Sequence, residues 1–254
     1  MTCQTPRWLG AGSSALVTGG SSGIGAEFAR YFESIGLRVI RVGRSPKQDV
    51  DFVADLSTGS GVESVLDLVR RDDTIDVVVA CAGTSLNEVV PDTALEDELR
   101  MLAVNVQAPL EICHVAAAMM KRRGRGLIVT VGSTAGLWST STYAASKSWI
   151  IAFSRGLAVA LKPTSVRVVC VAPGFTRTDF LDKVGICTST RSTWPWIDAR
   201  VVVAETMRGV ARGQTLVIPT ARYRLLTRLA YLLPEVPRGH LVQWIARSAG
   251  VESV

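Results

Sequence analysis

Short apolar runs recur along the chain, each closed by small or polar residues. Ser14–Thr18 (SALVT), Ile75–Ala80 (IDVVVA), Leu127–Val131 (LIVTV) and Val166–Ala172 (VRVVCVA) are nearly uninterrupted. Runs of this length without alternation predict strands covered on both faces. Leu37–Val42, Val53–Leu56 and Thr215–Ile218 are further short strand candidates. Between them the apolar spacing turns helical, from Ala26 to Phe32, from Glu63 to Arg71, from about Ala94 to Met120, from Tyr143 onward and from Ala199 to Gly209. Gly36 is placed to stop the first helix, and Pro109 predicts a kink or break in the long one. The link SPKQDVD leaves little room for a crossover helix before the third strand.

Composition narrows this pattern to one α/β domain. The chain has 254 residues with 48% hydrophobic content, long enough for a substantial core. It has no repeat period and no low-complexity linker, so residues 1–254 are expected to form a single unit. Its core spans about 13–219, with a helical extension over 220–254. The start lacks the pattern of a secretory signal, and no run reaches the roughly 18 uninterrupted apolar residues of a membrane span. Five scattered cysteines without C-x-x-C spacing suit reduced thiols and a cytoplasmic location. Two distant histidines make no metal site. The net charge of +6 is spread along the chain, which suits an anionic cofactor or substrate better than nucleic acid.

Candidate chemistry gathers at the strand ends. The first strand runs straight into Thr18-Gly19-Gly20-Ser21-Ser22-Gly23-Ile24-Gly25 and then a helix. Strand, glycine turn and helix form the context of a dinucleotide site, where backbone amides and the helix N-terminus meet a pyrophosphate. No acidic residue lies between Gly36 and Gln48, and Arg44 stands near the end of the second strand. A guanidinium there can pair with a phosphate, which favours NADP(H) over NAD(H) against the alternative of a solvated loop arginine. Arg41, inside the strand, is harder to place. Asp55 either accepts from an adenine amino group or flanks the next helix. Gly83 would let a cofactor approach closely. Asn105 is a polar amide in an apolar stretch, so it is a structural hydrogen-bonder or part of a polar relay. Tyr143 and Lys147 are four residues apart and share a helical face, where an ammonium would lower the phenol pKa from roughly 10. Pro173-Gly174-Phe175-Thr176-Arg177-Thr178 follows another strand and suits contact with an amide or phosphate. The irregular stretch Asp179–Ile197 reads as a lid. In the tail, Arg222–Leu233 alternates arginine with apolar residues. Packing on the core or on a partner subunit is favoured there over contact with a membrane or lipid substrate.

In this order, TGGSSGIG, AD-L, CAG, a mid-helix asparagine, a serine after a strand, Y-x-x-x-K and PG-x-T-x-T make the chain resemble the classical short-chain dehydrogenase/reductase family, over roughly residues 13 to 219. The resemblance implies a doubly wound parallel sheet (Rossmann fold) of about seven strands with helices on both faces. It implies Tyr143 as proton donor to a carbonyl, Lys147 as its pKa-lowering partner and ribose holder, Ser133 as the group that orients the substrate oxygen, and Asn105 as holder of a relay water. Gly19, Ser21, Ser22, Gly23, Ile24 and Gly25 would surround the pyrophosphate. Asp55 and Leu56 would flank adenine. Gly83, Pro173, Gly174, Thr176 and Thr178 would line the nicotinamide half.

Two departures stand out. The usual N-A-G is Cys81-Ala82-Gly83, which removes a side-chain bond that steadies the sheet. Ser133 precedes Tyr143 by ten positions where about twelve or thirteen are usual, so a hydroxyl of Ser139, Thr140 or Ser141 competes for the serine role. The S-x-A-G context favours Ser133. The expected activity is NADPH-dependent reduction of a ketone or aldehyde on a lipophilic or specialised-metabolite substrate. The alternatives are alcohol oxidation by the same site, or a cofactor-binding regulator without catalysis. The family also implies a homodimer or homotetramer.

Overall fold

A computed structural model describes residues 9, 12–46, 49–86, 88, 90–138, 141–180 and 194–232. Seven parallel strands form one sheet: β1 (Ser14–Thr18), β2 (Arg38–Gly43), β3 (Phe52–Val53), β4 (Ile75–Ala80), β5 (Gly126–Val131), β6 (Val166–Val171) and β9 (Leu216–Val217). Their order is β3-β2-β1-β4-β5-β6-β9. A separate parallel pair joins β7 (Thr176–Arg177) to β8 (Ile197–Asp198).

Helices cover both faces. α1 (Gly23–Ser34) and α6 (Ala199–Ala211) lie on one, while α2 (Gly59–Arg71), α4 (Ala108–Arg123) and α5 (Thr142–Leu161) lie on the other. The period of 2 survives inside the continuous apolar strands. In β4, Val77 and Val79 face Phe28, Phe32 and Met207, while Val78 and Ala80 face Val62, Val65 and Ile112. That two-sided burial is why the strands are apolar throughout. Gly36, at φ +86°, turns the chain from α1 into β2 in a conformation that side chains rarely adopt.

Three expectations change. The third strand is Phe52–Val53, not Val53–Leu56. The Asp55 carboxylate accepts from the Ser57 amide at 2.9 Å and the Ser57 hydroxyl at 2.7 Å, bending the chain towards α2. The long helix divides into α3 (Leu95–Leu102), a π turn (Ala103–Gln107) and α4. Pro109 has no amide hydrogen for the Asn105 carbonyl four residues earlier, so the ladder slips, and Ala108 donates to Ala103. The run Leu95–Arg123 is long and apolar enough to cross a membrane, yet Ile112, Cys113, Ala116 and Met120 are buried against the sheet and α2. Arg41 is placed by ion pairs with Glu33 at 2.7 Å and Asp51 at 3.8 Å.

The tail forms α7 (Ala221–Leu232). Tyr223, Thr227 and Ala230 are buried, so one face packs on the core, and Leu225, Leu229 and Leu232 point outward.

Candidate active site

Strand order reverses between β1 and β4, and the carboxyl ends of those strands open a crevice at that point. The glycine loop leaves β1 there. A Cβ at Gly19, which has φ +66°, would stand 3.0 Å from the Ala82 Cα, and one at Gly23 would stand 3.0 Å from the Thr178 methyl. Bare backbone therefore brings the glycine loop against the ends of β4 and β6. Ser22 caps α1 with no side-chain hydrogen bond to the helix, and no acidic residue occupies its first turn. Such an N-terminus fits an anion.

The missing asparagine of the C-A-G segment is compensated from β1. The Thr18 hydroxyl accepts from the amides of both Cys81 and Ala82 at 3.1 Å and donates to the Val79 carbonyl. The turn is held without a polar side chain at position 81.

Gly83 is the meeting point of the polar groups. A Cβ there would lie 3.2 Å from Lys147 Nζ and 3.3 Å from Asn105 Oδ1. The Asn105 side chain is almost wholly buried and clamps Thr84, accepting from its amide at 2.9 Å and donating to its carbonyl at 2.8 Å. It also donates to the Ser146 hydroxyl at 3.2 Å, which donates to the Tyr143 carbonyl at 2.7 Å. The amide is thus fully engaged by protein. Pro109, which lacks an amide hydrogen, leaves the Asn105 main-chain carbonyl without its α-helical donor.

Lys147 is buried and donates to the Val131 carbonyl at 3.2 Å. Its ammonium lies 5.7 Å from the centre of the Tyr143 ring. Burial lowers the lysine pKa, opposed by Cys81 and Cys170. The same burial pushes the Tyr143 phenol up to about 12, and the Ser133 side chain acts in the opposite sense. The expected lowering of the phenol pKa by Lys147 is therefore not met by the protein groups alone, because desolvation outweighs the Ser133 hydrogen bond.

Ser133 starts a 3-10 turn (Thr134–Leu137) and accepts from the Ala135 amide at 3.1 Å. Of its three competitors, Ser141 is engaged as the N-cap of α5, accepting from Ala144, and Ser139 and Thr140 lie outside the described residues. Phe180 stands beside Tyr143, with ring centres 6.2 Å apart. Most of the expected lid, residues 181–193, also lies outside the described residues.

The remaining candidates divide. Thr176 donates to the Gly174 carbonyl at 3.0 Å, and Thr178 accepts from the Phe180 amide at 3.3 Å. The Pro173 carbonyl accepts from Thr134 at 2.9 Å, tying this loop to the Ser133 turn. Arg44 is exposed at the end of β2 and helps lower the Asp55 pKa, after the larger effect of the Ser57 hydrogen bonds. Leu56 is buried in the core with Val62, and Ile24 is partly buried against the core on the other face of the sheet. Ser146 and Phe180 were missed by sequence reasoning, and Thr18 was read only as the start of the glycine motif. Ser146, next to Lys147, carried a signal there.

Residues 13–186 match the short chain dehydrogenase family. The chain belongs to the short-chain dehydrogenase/reductase family. It is accordingly an NAD(P)-dependent oxidoreductase, built on the doubly wound sheet described above. Among relatives, a 3-oxoacyl-[acyl-carrier-protein] reductase FabG from Chlamydia muridarum is 31% identical over 200 residues, which covers 71% of this chain and 80% of that one. A short-chain dehydrogenase from Sphingobium yanoikuyae, solved in complex with NADPH, is 25% identical with a TM-score of 0.76, covering 88% of this chain and 97% of that one. The bulky-bulky ketone specific alcohol dehydrogenase from Comamonas testosteroni is also 25% identical, with a TM-score of 0.72 and coverage of 88% and 96%.

Proposed function

We propose that this short-chain dehydrogenase/reductase reduces a ketone or aldehyde on a lipophilic substrate with NADPH, using Tyr143 as proton donor. The observation that carries this reading is the convergence of Tyr143, Lys147, Asn105 and Gly83 at the crevice where the glycine loop opens. The fit to NADP(H) rests on the bare backbone at Gly19, Gly23 and Gly83, the start of α1 with no acidic residue in its first turn, and the exposed Arg44. Gly19–Gly25 would hold the pyrophosphate, Arg44 the 2′-phosphate, Asp55 the adenine edge, and Gly83, Gly174, Thr176 and Thr178 the nicotinamide half. When bound, NADPH supplies the hydride.

Tyr143 would hydrogen-bond the substrate carbonyl oxygen and give it a proton as negative charge develops. Ser133 would donate a second hydrogen bond to that oxygen. Lys147 would hold the nicotinamide ribose and favour the tyrosinate left behind. The Asn105 main-chain carbonyl would hold the water that returns a proton. A phenol kept protonated by burial suits the reductive direction better than the oxidative one. An apolar, bulky carbonyl is supported by Phe180 beside Tyr143 and by the Trp138, Phe175 and Trp194 cluster against α7. The bulky-ketone alcohol dehydrogenase and the acyl reductase among the similar proteins agree with that substrate class.

Assembly as a homodimer or homotetramer belongs to the same reading, supported by exposed Leu95, Leu99, Leu110 and Val159 on α3, α4 and α5. The direct test of the activity is NADPH consumption against a panel of aryl and long-chain ketones and aldehydes, with NADH in parallel. Turnover of no carbonyl, or equal use of both cofactors, would overturn it.

A further inference from the structure

The α7 helix lies beyond residue 186, where the family match ends, and the proposed chemistry uses none of its side chains. Tyr223 nevertheless reaches the rim of the site. It is fully buried, and its hydroxyl accepts from the Phe175 amide at 3.1 Å and donates to the Pro195 carbonyl at 3.0 Å. Phe175 directly precedes β7, and Pro195 lies just before β8. One phenol joins the two, using its donor and its acceptor once each, as burial requires.

Neighbouring contacts reinforce the join. Arg222 donates to the Trp196 carbonyl at 2.6 Å and reaches the Pro195 carbonyl at 3.4 Å. β7 pairs with β8 through Thr176 with Ile197 and Arg177 with Asp198, and the Ile197 amide donates to the Phe175 carbonyl at 2.8 Å. The Tyr223 ring occupies the place of a side chain at Gly174, where a Cβ would stand 2.0 Å from Cζ. Phe175 therefore lies between the tyrosine latch on one side and the Thr176 and Thr178 contacts on the other. Thr178 in turn lies against Gly23 of the glycine loop.

We propose that Tyr223 is a positioning residue for the dehydrogenase site. It ties the Phe175 amide and the Pro195 carbonyl to α7, and so fixes Gly174, Thr176 and Thr178 against the glycine loop. This rests on the cofactor reading of that loop. Removing only the hydroxyl keeps the ring against Gly174 and frees the Phe175 amide, leaving the β7–β8 pairing to hold residues 174–178 on that side. That stretch is then fixed against the glycine loop for only part of the time, and apparent affinity falls by that fraction. Saturating ligand restores the closed form, so KM rises while kcat holds.

The test compares Tyr223→Phe with Thr227→Val in the full chain. Thr227 is one turn further along α7, and among the described residues its hydroxyl bonds the Tyr223 and Arg224 carbonyls. Tyr223→Phe is expected to weaken NADPH binding and raise the carbonyl KM about tenfold, with kcat within about twofold. Thr227→Val should leave both near wild type. In the unliganded protein, hydrogen exchange at the Phe175 amide should accelerate in Tyr223→Phe and not in Thr227→Val. Unchanged exchange at Phe175, unchanged NADPH affinity, or an equal KM rise in both variants would overturn the proposal. A wild-type chain that binds no NADPH would overturn the cofactor reading instead, and the Phe175 exchange would still decide whether Tyr223 latches the loop.

Discussion

Lys147 places its ammonium 5.7 Å from the centre of the Tyr143 ring while bonding the Val131 carbonyl at the end of β5. The lysine is thus anchored to the sheet, and the tyrosine, one helical turn earlier, is held at a fixed offset from it. Burial dominates both pKa values, upward for the phenol and downward for the amine.

A pH profile follows from that burial. With its pKa near about 12, Tyr143 stays protonated at neutral pH and is ready as an acid, not as a base. Reductive kcat/KM should be flat from about pH 6 to 9, whereas oxidation of the corresponding alcohol should rise roughly tenfold per pH unit. A plateau of the oxidative limb near neutrality would show that the phenol ionises far more readily than its surroundings dictate.

Gly83 is predicted to be intolerant for a local reason. A Cβ there would stand 3.2 Å from Lys147 Nζ and 3.3 Å from Asn105 Oδ1. The far end of the lysine can yield, so Gly83→Ala should fold with its Tm within about 3 °C of wild type. NADPH affinity should nonetheless drop by about tenfold or more, because the displaced ammonium and the added methyl both face the site. Calorimetric binding beside thermal unfolding separates the two effects.

Thr18 carries a structural load beyond its place at the head of the glycine motif. Thr18→Val keeps the shape but leaves the Ala82 amide without its acceptor, while the Cys81 amide keeps the Val79 carbonyl at 3.1 Å. One unmet part-buried amide costs about 1–3 kcal/mol, and denaturant unfolding should show a loss of that size. A loss below about 0.5 kcal/mol would mean that the turn is held by something else.

Arg44 should act on one cofactor only. Arg44→Ala is expected to weaken NADPH binding about tenfold to a hundredfold and to leave NADH unaffected, since only the former carries the 2′-phosphate. Equal losses for both would assign Arg44 to the shape of the loop and not to phosphate recognition.

Much of the frame was legible because parallel strands buried on both faces must be apolar throughout. β1 and β4 fall where SALVT and IDVVVA place them. Local hydrogen bonding was less legible. Asp55 ends the third strand early through its turn with Ser57, a choice invisible to hydrophobic periodicity. Pro109 announced a break, but the slip of the ladder into a π turn at Asn105 is a backbone hydrogen-bond choice that hydrophobic periodicity does not show. Long-range partners were the least legible. The joining of Phe175 and Pro195 by Tyr223, and of Cys81 and Ala82 by Thr18, each spans dozens of residues. Arg41 was unplaceable because its acid partners, Glu33 and Asp51, come from two different elements.

The central claim is that the Tyr143 hydroxyl delivers the proton. Tyr143→Phe removes that hydroxyl and keeps the ring beside Phe180 and Lys147. Steady-state NADPH oxidation with a reducible bulky ketone should fall by at least about a hundredfold in kcat, with NADPH affinity within about twofold of wild type. Unchanged turnover in Tyr143→Phe would contradict the account.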